Sequence, residues 1–81
     1  MSRFVLYSTD CCHLCDLAMA IVEPIATELN VIVEVMDIAQ SDELFDRYSL
    51  TIPVLSDVEA NIYLNWPFES ADVKNLLVSA I

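Results

Sequence analysis

The sequence contains no glycine and only three basic residues, and each shortage restricts what the chain can be. The basic residues are Arg3, Arg47 and Lys74, against thirteen Asp and Glu, so the formal net charge is −10 at pH 7. A surface field of that sign repels polyphosphates, and nucleic acid is therefore not an expected partner. Without glycine, a turn that needs a positive φ must use another residue, and Asn30 and Asn61 are the predicted positions.

The chain also lacks an apolar segment of membrane-spanning length, and its first residues lack the apolar region and cleavage site of a signal peptide. We therefore expect a cytoplasmic protein with no membrane partner. The 81 residues are 57% hydrophobic and include no low-complexity segment, so residues 1–81 are expected to fold as one domain. We expect this domain to be a monomer.

Alternating strand and helix patterns predict the element order β-α-β-α-β-β-α. Short apolar or β-branched segments predict strands, and apolar residues spaced by three and four predict helices. The predicted elements are strand 4–7, a helix with its apolar stripe at 14–29 and a bend at Pro24, strand 31–36, helix 41–48, a hairpin of 52–55 and 62–64, and a last helix capped by Ser70 with its apolar stripe from Val73 to Ile81. Because a strand, a helix and a strand in succession form a parallel pair, we expect an α/β fold with a four-stranded mixed sheet flanked by three helices.

Three cysteines lie within five positions, where the first predicted strand meets the first predicted helix. Cys12 and Cys15 are spaced so that they share a helix face, within the separation that a disulfide requires. Cys12 lies near the helix N-terminus, where unpaired N–H groups and the helix dipole favour a thiolate. His13 adds positive charge when protonated, whereas Asp10 and Asp16 act in the opposite direction. The pattern predicts a redox couple in which Cys12 attacks a substrate disulfide and Cys15 resolves the mixed disulfide.

The neighbouring residues leave other interpretations of the cluster open. Cys11 is interpreted as an inert neighbour, although it can also trap Cys12 or form an adduct. A zinc site would need Cys11, Cys12, His13 and Cys15, which are almost consecutive, to converge on one tetrahedral centre, and no second C-x-x-C completes it. No metal ligand is therefore assigned. Small buried cysteines that simply line the helix are the remaining alternative.

Residues along nearly the whole chain carry a resemblance to a known family. They are Leu6-Tyr7-Ser8-Thr9, Cys12-His13-Leu14-Cys15, Asp37, Ile52-Pro53-Val54 and Trp66-Pro67-Phe68. With these residues the chain resembles the glutaredoxin-like family of small bacterial proteins, which has the thioredoxin fold. The resemblance implies a dithiol–disulfide oxidoreductase with Cys12 as the nucleophile and Cys15 as the resolving thiol.

The resemblance also implies a substrate-binding loop beside Cys12. It predicts a cis Ile52–Pro53 bond and a backbone at Thr51 and Ile52 that pairs with an extended peptide or with glutathione. Arg47 is a candidate partner for a carboxylate of glutathione, or equally a charge at a helix end. From the residues alone, a trans proline that opens an edge strand is the alternative.

The expected substrate is a disulfide-containing protein or a glutathione mixed disulfide, with glutathione as a co-substrate and no bound cofactor. Glutaredoxins that use glutathione commonly have a lysine a few residues before the first cysteine, and Thr9 takes that position here. Tyr7 and Trp66 are expected to complete the core rather than to stack on substrate. The alternative function is a non-catalytic binding module of the thioredoxin fold that holds a protein or peptide partner.

Overall fold

The structure is a computed structural model, which describes residues 3–79. Its elements in chain order are β1 (Phe4–Ser8), α1 (His13–Glu28), β2 (Val33–Asp37), a 3₁₀ turn (Ile38–Gln40), α2 (Asp42–Tyr48), β3 (Val54–Asp57), β4 (Ile62–Asn65) and α3 (Ser70–Ser79). This order of strands and α-helices confirms the predicted β-α-β-α-β-β-α arrangement. None of the helices in residues 3–79 is long and apolar enough to cross a membrane.

The four strands form one mixed sheet in the order β2-β1-β3-β4. Strand β1 runs parallel to β2, with Ser8 opposite Asp37, and antiparallel to β3, with Tyr7 opposite Val54. Strand β4 is antiparallel to β3, and Val54 lies opposite Asn65. The last residues of β1, β2 and β4 therefore meet the first residue of β3 at one end of the sheet, which we call the Ser8 end.

Each face of the sheet carries its own apolar cluster. On one face Phe4, Leu6 and Leu55 pack against α1 and α3. On the other face Val54 packs with Ile38 and with Tyr48 at the end of α2. Strand β1 lies between β2 and β3 and is buried on both faces, which confirms the central strand predicted from its unbroken apolar run. Because burying one such side chain contributes about 1.5–3 kcal/mol, these clusters hold the helices in place.

Within residues 3–79, three residues adopt a positive φ. Asn30 and Asn61 do so with φ of 57° each, as predicted. Cys11 also does so, with φ of 58°, and that position was not predicted. The left-handed region is sterically costly for a residue with a Cβ, although Asn tolerates it better than most. In a chain without glycine, the turn that leads into α1 places a cysteine there.

The predicted starts of two strands are wrong. Strand β2 begins at Val33 rather than at residue 31, because the N–H of Val31 donates to the carbonyl of Ala26 and closes the end of α1. Strand β3 begins at Val54, so residues 52 and 53 precede it. Proline has no N–H to donate to a strand partner, which explains why the ladder starts after Pro53. The predicted single helix through Pro24 is present as α1.

The predicted cap of the last helix is also wrong. Ser70 is the first residue of α3, and Glu69 occupies the flanking cap position. The N–H of Glu69 donates to Oδ2 of Asp72 over 2.9 Å, and its carbonyl accepts from Val73. This is one half of a capping box, in which the third helical residue reaches back to the cap. Ile81, predicted to belong to the same helix, lies outside the described residues.

Candidate active site

Cys12 is the N-cap residue of α1. Its backbone is extended, with φ of −100° and ψ of 103°, and its carbonyl accepts the N–H of Asp16. The Cys12 sulfur accepts the N–H of Cys15 over 3.2 Å, which is the hydrogen bond that Ser, Thr or Asp supplies at other helix starts. The positive end of the helix dipole and an N–H group therefore both act on this sulfur.

Cys12 and Cys15 form a disulfide in the structure. Their Cα atoms are 5.2 Å apart, within the range that disulfides occupy. The two sulfurs differ in access, because Cys12 is half-buried whereas Cys15 is buried with only 5% of its surface exposed. An incoming group therefore reaches Cys12 more easily than Cys15.

Cys11 is a free, exposed cysteine next to this disulfide. His13, the first residue of α1, is exposed, as expected from its place in the first turn. Within residues 3–79 no group of three or more His, Cys, Asp or Glu side chains is arranged to hold a metal ion.

Acidic residues lie next to the cysteine pair in sequence and at the Ser8 end of the sheet. Asp10 and Asp16 are both exposed and flank the cysteine pair in sequence. Asp37 ends β2 opposite Ser8, and its carboxylate accepts the N–H of Ala39 at the start of the 3₁₀ turn. We call Asp10, Asp16 and Asp37 the acidic rim. The field that a substrate meets at this end of the molecule is therefore negative.

Both arginines are engaged elsewhere. Arg3 precedes β1 at the end of the sheet opposite Ser8 and pairs with Glu34 over 3.0 Å, and that hydrogen bond raises the pKa of Arg3. Arg47 donates to the hydroxyl of Tyr63 over 3.2 Å, and its guanidinium carbon lies 5.5 Å from the ring centre of Tyr48. The Arg47 contacts lie on the α2 face of the sheet. They engage the guanidinium that was predicted to bind a carboxylate of glutathione.

The loop before Pro53 lies at the Ser8 end of the sheet. Its position follows from the register, because Tyr7 pairs with Val54 and Pro53 is the next residue outward. The Ile52–Pro53 peptide bond is cis, and the carbonyl of Pro53 accepts the N–H of Trp66 over 3.2 Å. The turn after β1 that carries Cys12, the Pro53 loop and Trp66 thus share one end of the sheet.

The carbonyl of Tyr48 receives three hydrogen bonds from this loop. The N–H groups of Thr51 and Ile52 donate to it over 2.9 and 3.0 Å, and the Thr51 hydroxyl donates over 3.3 Å. The N–H groups of the two residues predicted to pair with a substrate are therefore already hydrogen-bonded in this conformation. A substrate that pairs with the Ile52 N–H must first displace Tyr48.

Tyr48 was not among the predicted site residues, although it shapes the loop. Its ring stacks on Tyr7 with centroids 4.3 Å apart and planes 16° from parallel, and burial raises the pKa of its hydroxyl. Its place as an aromatic residue at the end of a short helix was the only sequence signal.

Tyr7 and Trp66 belong to the two apolar clusters, which confirms the core interpretation of both. The ring centroids of Trp66 and Phe68 are 5.1 Å apart, and the two rings pack in a T-shaped arrangement with their planes at 79°. The Trp66–Pro67 peptide bond is cis.

A groove of about 320 Å³ runs along the middle of α1, between that helix and the edge strand β2. Its lining residues are Met19, Val22, Glu23, Ala26, Thr27, Val31 and Val33. The groove is therefore separate from the Ser8 end and from Cys12.

Known structures resemble the whole chain. The X-ray structure of protein XcR50 from X. campestris has a TM-score of 0.81 at 29% identity, covering 98% of this chain and 100% of that one. The solution structure of XcR50 has a TM-score of 0.80 at 29% identity, with 98% and 96% covered. Protein Ne2328 from Nitrosomonas europaea has a TM-score of 0.75 at 26% identity, with 94% and 89% covered.

These similarities agree with the fold. No curated protein matches the chain with statistical significance. The family described as Glutaredoxin-like domain (DUF836) matches residues 3–78. Since that match spans nearly all of the sequence, the chain belongs to the glutaredoxin-like domain family.

Proposed function

We propose that the chain is a thiol–disulfide oxidoreductase that alternates between the Cys12–Cys15 disulfide and the corresponding dithiol. The main support is the position of that disulfide at the N-terminus of α1, with the more accessible sulfur at the cap and the buried sulfur one turn further in. The cap position favours a thiolate, which is the reactive form of cysteine. The reaction belongs in the cytoplasm, where reduced thiols are maintained.

The proposed reaction transfers two electrons from the protein dithiol to a substrate disulfide. The Cys12 thiolate attacks one substrate sulfur, the substrate S–S bond breaks, and the first substrate thiolate leaves and takes up a proton. The Cys15 thiolate then attacks the Cys12 sulfur, forms the intramolecular disulfide and releases the second substrate thiol. An external thiol, such as glutathione, or a dithiol reductase returns the protein to the reduced state.

Neighbouring groups assist this exchange in three ways. The N–H of Cys15 donates to the Cys12 sulfur and stabilises negative charge there. His13 adds positive charge to the same helix start when it is protonated. The cis Pro53 loop, held by the carbonyl of Tyr48, forms the neighbouring part of the substrate site.

Equilibration in graded glutathione redox buffers tests the proposal. The thiols are trapped by alkylation at each potential, and mass spectrometry locates the paired cysteines. We expect reversible Cys12–Cys15 pairing with a midpoint roughly between −270 and −200 mV, the range of thioredoxins and glutaredoxins. If the two thiols never pair, or pair only irreversibly, the oxidoreductase proposal is wrong.

Three serine variants assign the roles of the thiols. Cys12→Ser is expected to abolish reduction of a disulfide substrate, and Cys15→Ser is expected to accumulate a mixed disulfide on Cys12. Cys11→Ser is the matched control, since it removes an adjacent thiol and leaves the pair intact. Full activity in Cys12→Ser contradicts the mechanism.

A further inference from the structure

The charges around the disulfide select among disulfide substrates. The acidic rim supplies negative charge at the Ser8 end, within a chain of net charge −10. Arg3 is paired with Glu34, and Arg47 contacts Tyr63 and Tyr48. The remaining cation, Lys74, lies on the exposed side of α3. A substrate with carboxylates next to its disulfide therefore approaches against the field, whereas one with basic groups approaches with it.

The backbone of the Pro53 loop gives a second constraint. Full strand pairing needs a donor and an acceptor from the protein, but the N–H of Ile52 already donates to the carbonyl of Tyr48 over 3.0 Å. A ligand that depends on that donor must break an existing hydrogen bond. The charges of the rim carboxylates attract a basic group without breaking that backbone hydrogen bond, so they carry a larger share of the recognition.

Apolar side chains near the disulfide add a contact that a polypeptide can use. Leu14 lies between the two cysteines and is 45% exposed, and Leu17 is 42% exposed. These leucines are three apart on α1 and therefore share one side of the helix. Leu50, in the loop before Pro53, is 98% exposed. A small tripeptide thiol covers little of this area, whereas a protein segment covers more.

From these observations we infer that the substrate is a disulfide in a positively charged polypeptide segment, drawn to Cys12 by the acidic rim, rather than glutathione disulfide or an acidic protein. The inference rests on the proposed function and specifies its substrate class. In the reaction the reduced Cys12 and Cys15 give two electrons to the substrate disulfide, which leaves as two thiols while the protein disulfide forms.

Single-turnover oxidation of the reduced protein tests this inference. Two synthetic peptides contain the same disulfide ring and differ only in flanking lysines or glutamates, and glutathione disulfide is the third oxidant. The reaction is quenched with acid and alkylated, and mass spectrometry measures formation of the Cys12–Cys15 bond. Each rate is divided by the rate of the same oxidant with a small neutral thiol, which removes differences in intrinsic reactivity.

Electrostatic selection predicts a rate ratio that depends on salt. At about 0.01 M salt, where the Debye length is about 30 Å, the lysine peptide is expected to react about tenfold faster than the glutamate peptide and than glutathione disulfide. At about 1 M salt, where that length is about 3 Å, the ratio is expected to approach one. Equal corrected rates at low salt overturn the inference.

A pair of charge variants locates the effect at the rim. Asp10→Asn with Asp16→Asn removes two rim charges, and Glu23→Gln with Glu28→Gln removes two exposed charges that lie about 16 to 24 Å beyond Cys12 along the axis of α1. At about 0.1 M salt the Debye length is about 10 Å, so charges close to the disulfide affect an approaching substrate more strongly than distant ones. The rim variant is expected to lose most of the peptide ratio, and the control variant to keep it. Effects on thiolate formation cancel, because the ratio compares two substrates of one protein.

The outcomes separate this inference from the proposed function. If the protein forms its disulfide with every oxidant at similar corrected rates, the oxidoreductase function stands and the substrate class is wrong. If a lysine preference persists unchanged in the rim variant, the rim is not its source and the inference is wrong. If no oxidant produces the Cys12–Cys15 bond, the proposed function fails, and the substrate inference fails with it.

Discussion

The stacked pair Tyr7 and Tyr48 joins the strand that leads to Cys12 with the helix that holds the Pro53 loop, and its energy can be measured. The perturbation is a double-mutant cycle of Tyr7→Leu, Tyr48→Leu and the combined variant. The ring centroids are 4.3 Å apart and the planes 16° from parallel, and Tyr48 is only 8% exposed. Such aromatic pairs contribute about 0.5–1.5 kcal/mol beyond their burial. We expect each single substitution to lower the free energy of unfolding by about 1–3 kcal/mol.

The cycle is measured on the oxidised protein by urea unfolding, followed by far-UV circular dichroism. The expected coupling energy is about 0.5–1.5 kcal/mol, with the combined variant less destabilised than the sum of the two singles. Tyr7→Leu combined with Val73→Ala is the control, because Val73 packs in the cluster on the opposite face of the sheet. That pair should be additive to within about 0.5 kcal/mol. A Tyr7–Tyr48 coupling no larger than the control value refutes the reasoning.

Three further predictions concern single positions. Burial raises the pKa of the Tyr48 hydroxyl above its usual value, so the folded state holds this proton more tightly than the unfolded state. The free energy of unfolding is therefore expected to fall as the pH rises above about 10. Urea unfolding between about pH 9 and 11 should show a smaller loss of stability for Tyr48→Phe. Cys11 has a positive φ, so Cys11→Val is expected to cost about 1–2 kcal/mol while Cys11→Gly stays within about 0.5 kcal/mol, and equal unfolding midpoints for the two variants contradict this. Arg47→Gln removes contacts with Tyr48 and Tyr63 and is expected to lower the free energy of unfolding by about 0.5–1 kcal/mol. If glutathione disulfide instead oxidises this variant more than about fivefold more slowly than the unchanged protein, the guanidinium takes part in substrate binding.

The element order could be predicted because each signal is local. The apolar stripe of α1, the β-branched run before Asp37 and the acidic first turn of α2 lie within single elements. The pairing of Cys12 with Cys15 was also predictable, since a spacing of three at a helix start places both cysteines on one side of that helix.

The features that were missed depend on contacts distant in sequence or on competition between partners. Arg47 bonds to Tyr63, sixteen residues away, and nothing within α2 indicates that contact. The N–H groups of Thr51 and Ile52 had two available acceptors, a substrate or the end of α2, and the structure uses Tyr48. A pattern identifies groups that can bond, but the packing of Tyr48 on Tyr7 decides which carbonyl lies within reach.

This difference separates the chemistry of the site from its substrate. The proposed reaction depends on Cys12 and Cys15 at a helix start, a local arrangement that is read from the motif. The choice of substrate depends on which charges and backbone groups surround that start after folding. Here the arginines are held by Glu34 and by the tyrosines, the loop donor of Ile52 is held by Tyr48, and the acidic rim remains around the disulfide. The acidic rim attracts a substrate segment that carries basic residues. The rate of the reaction should therefore respond most strongly to the charge of the residues that flank the substrate disulfide.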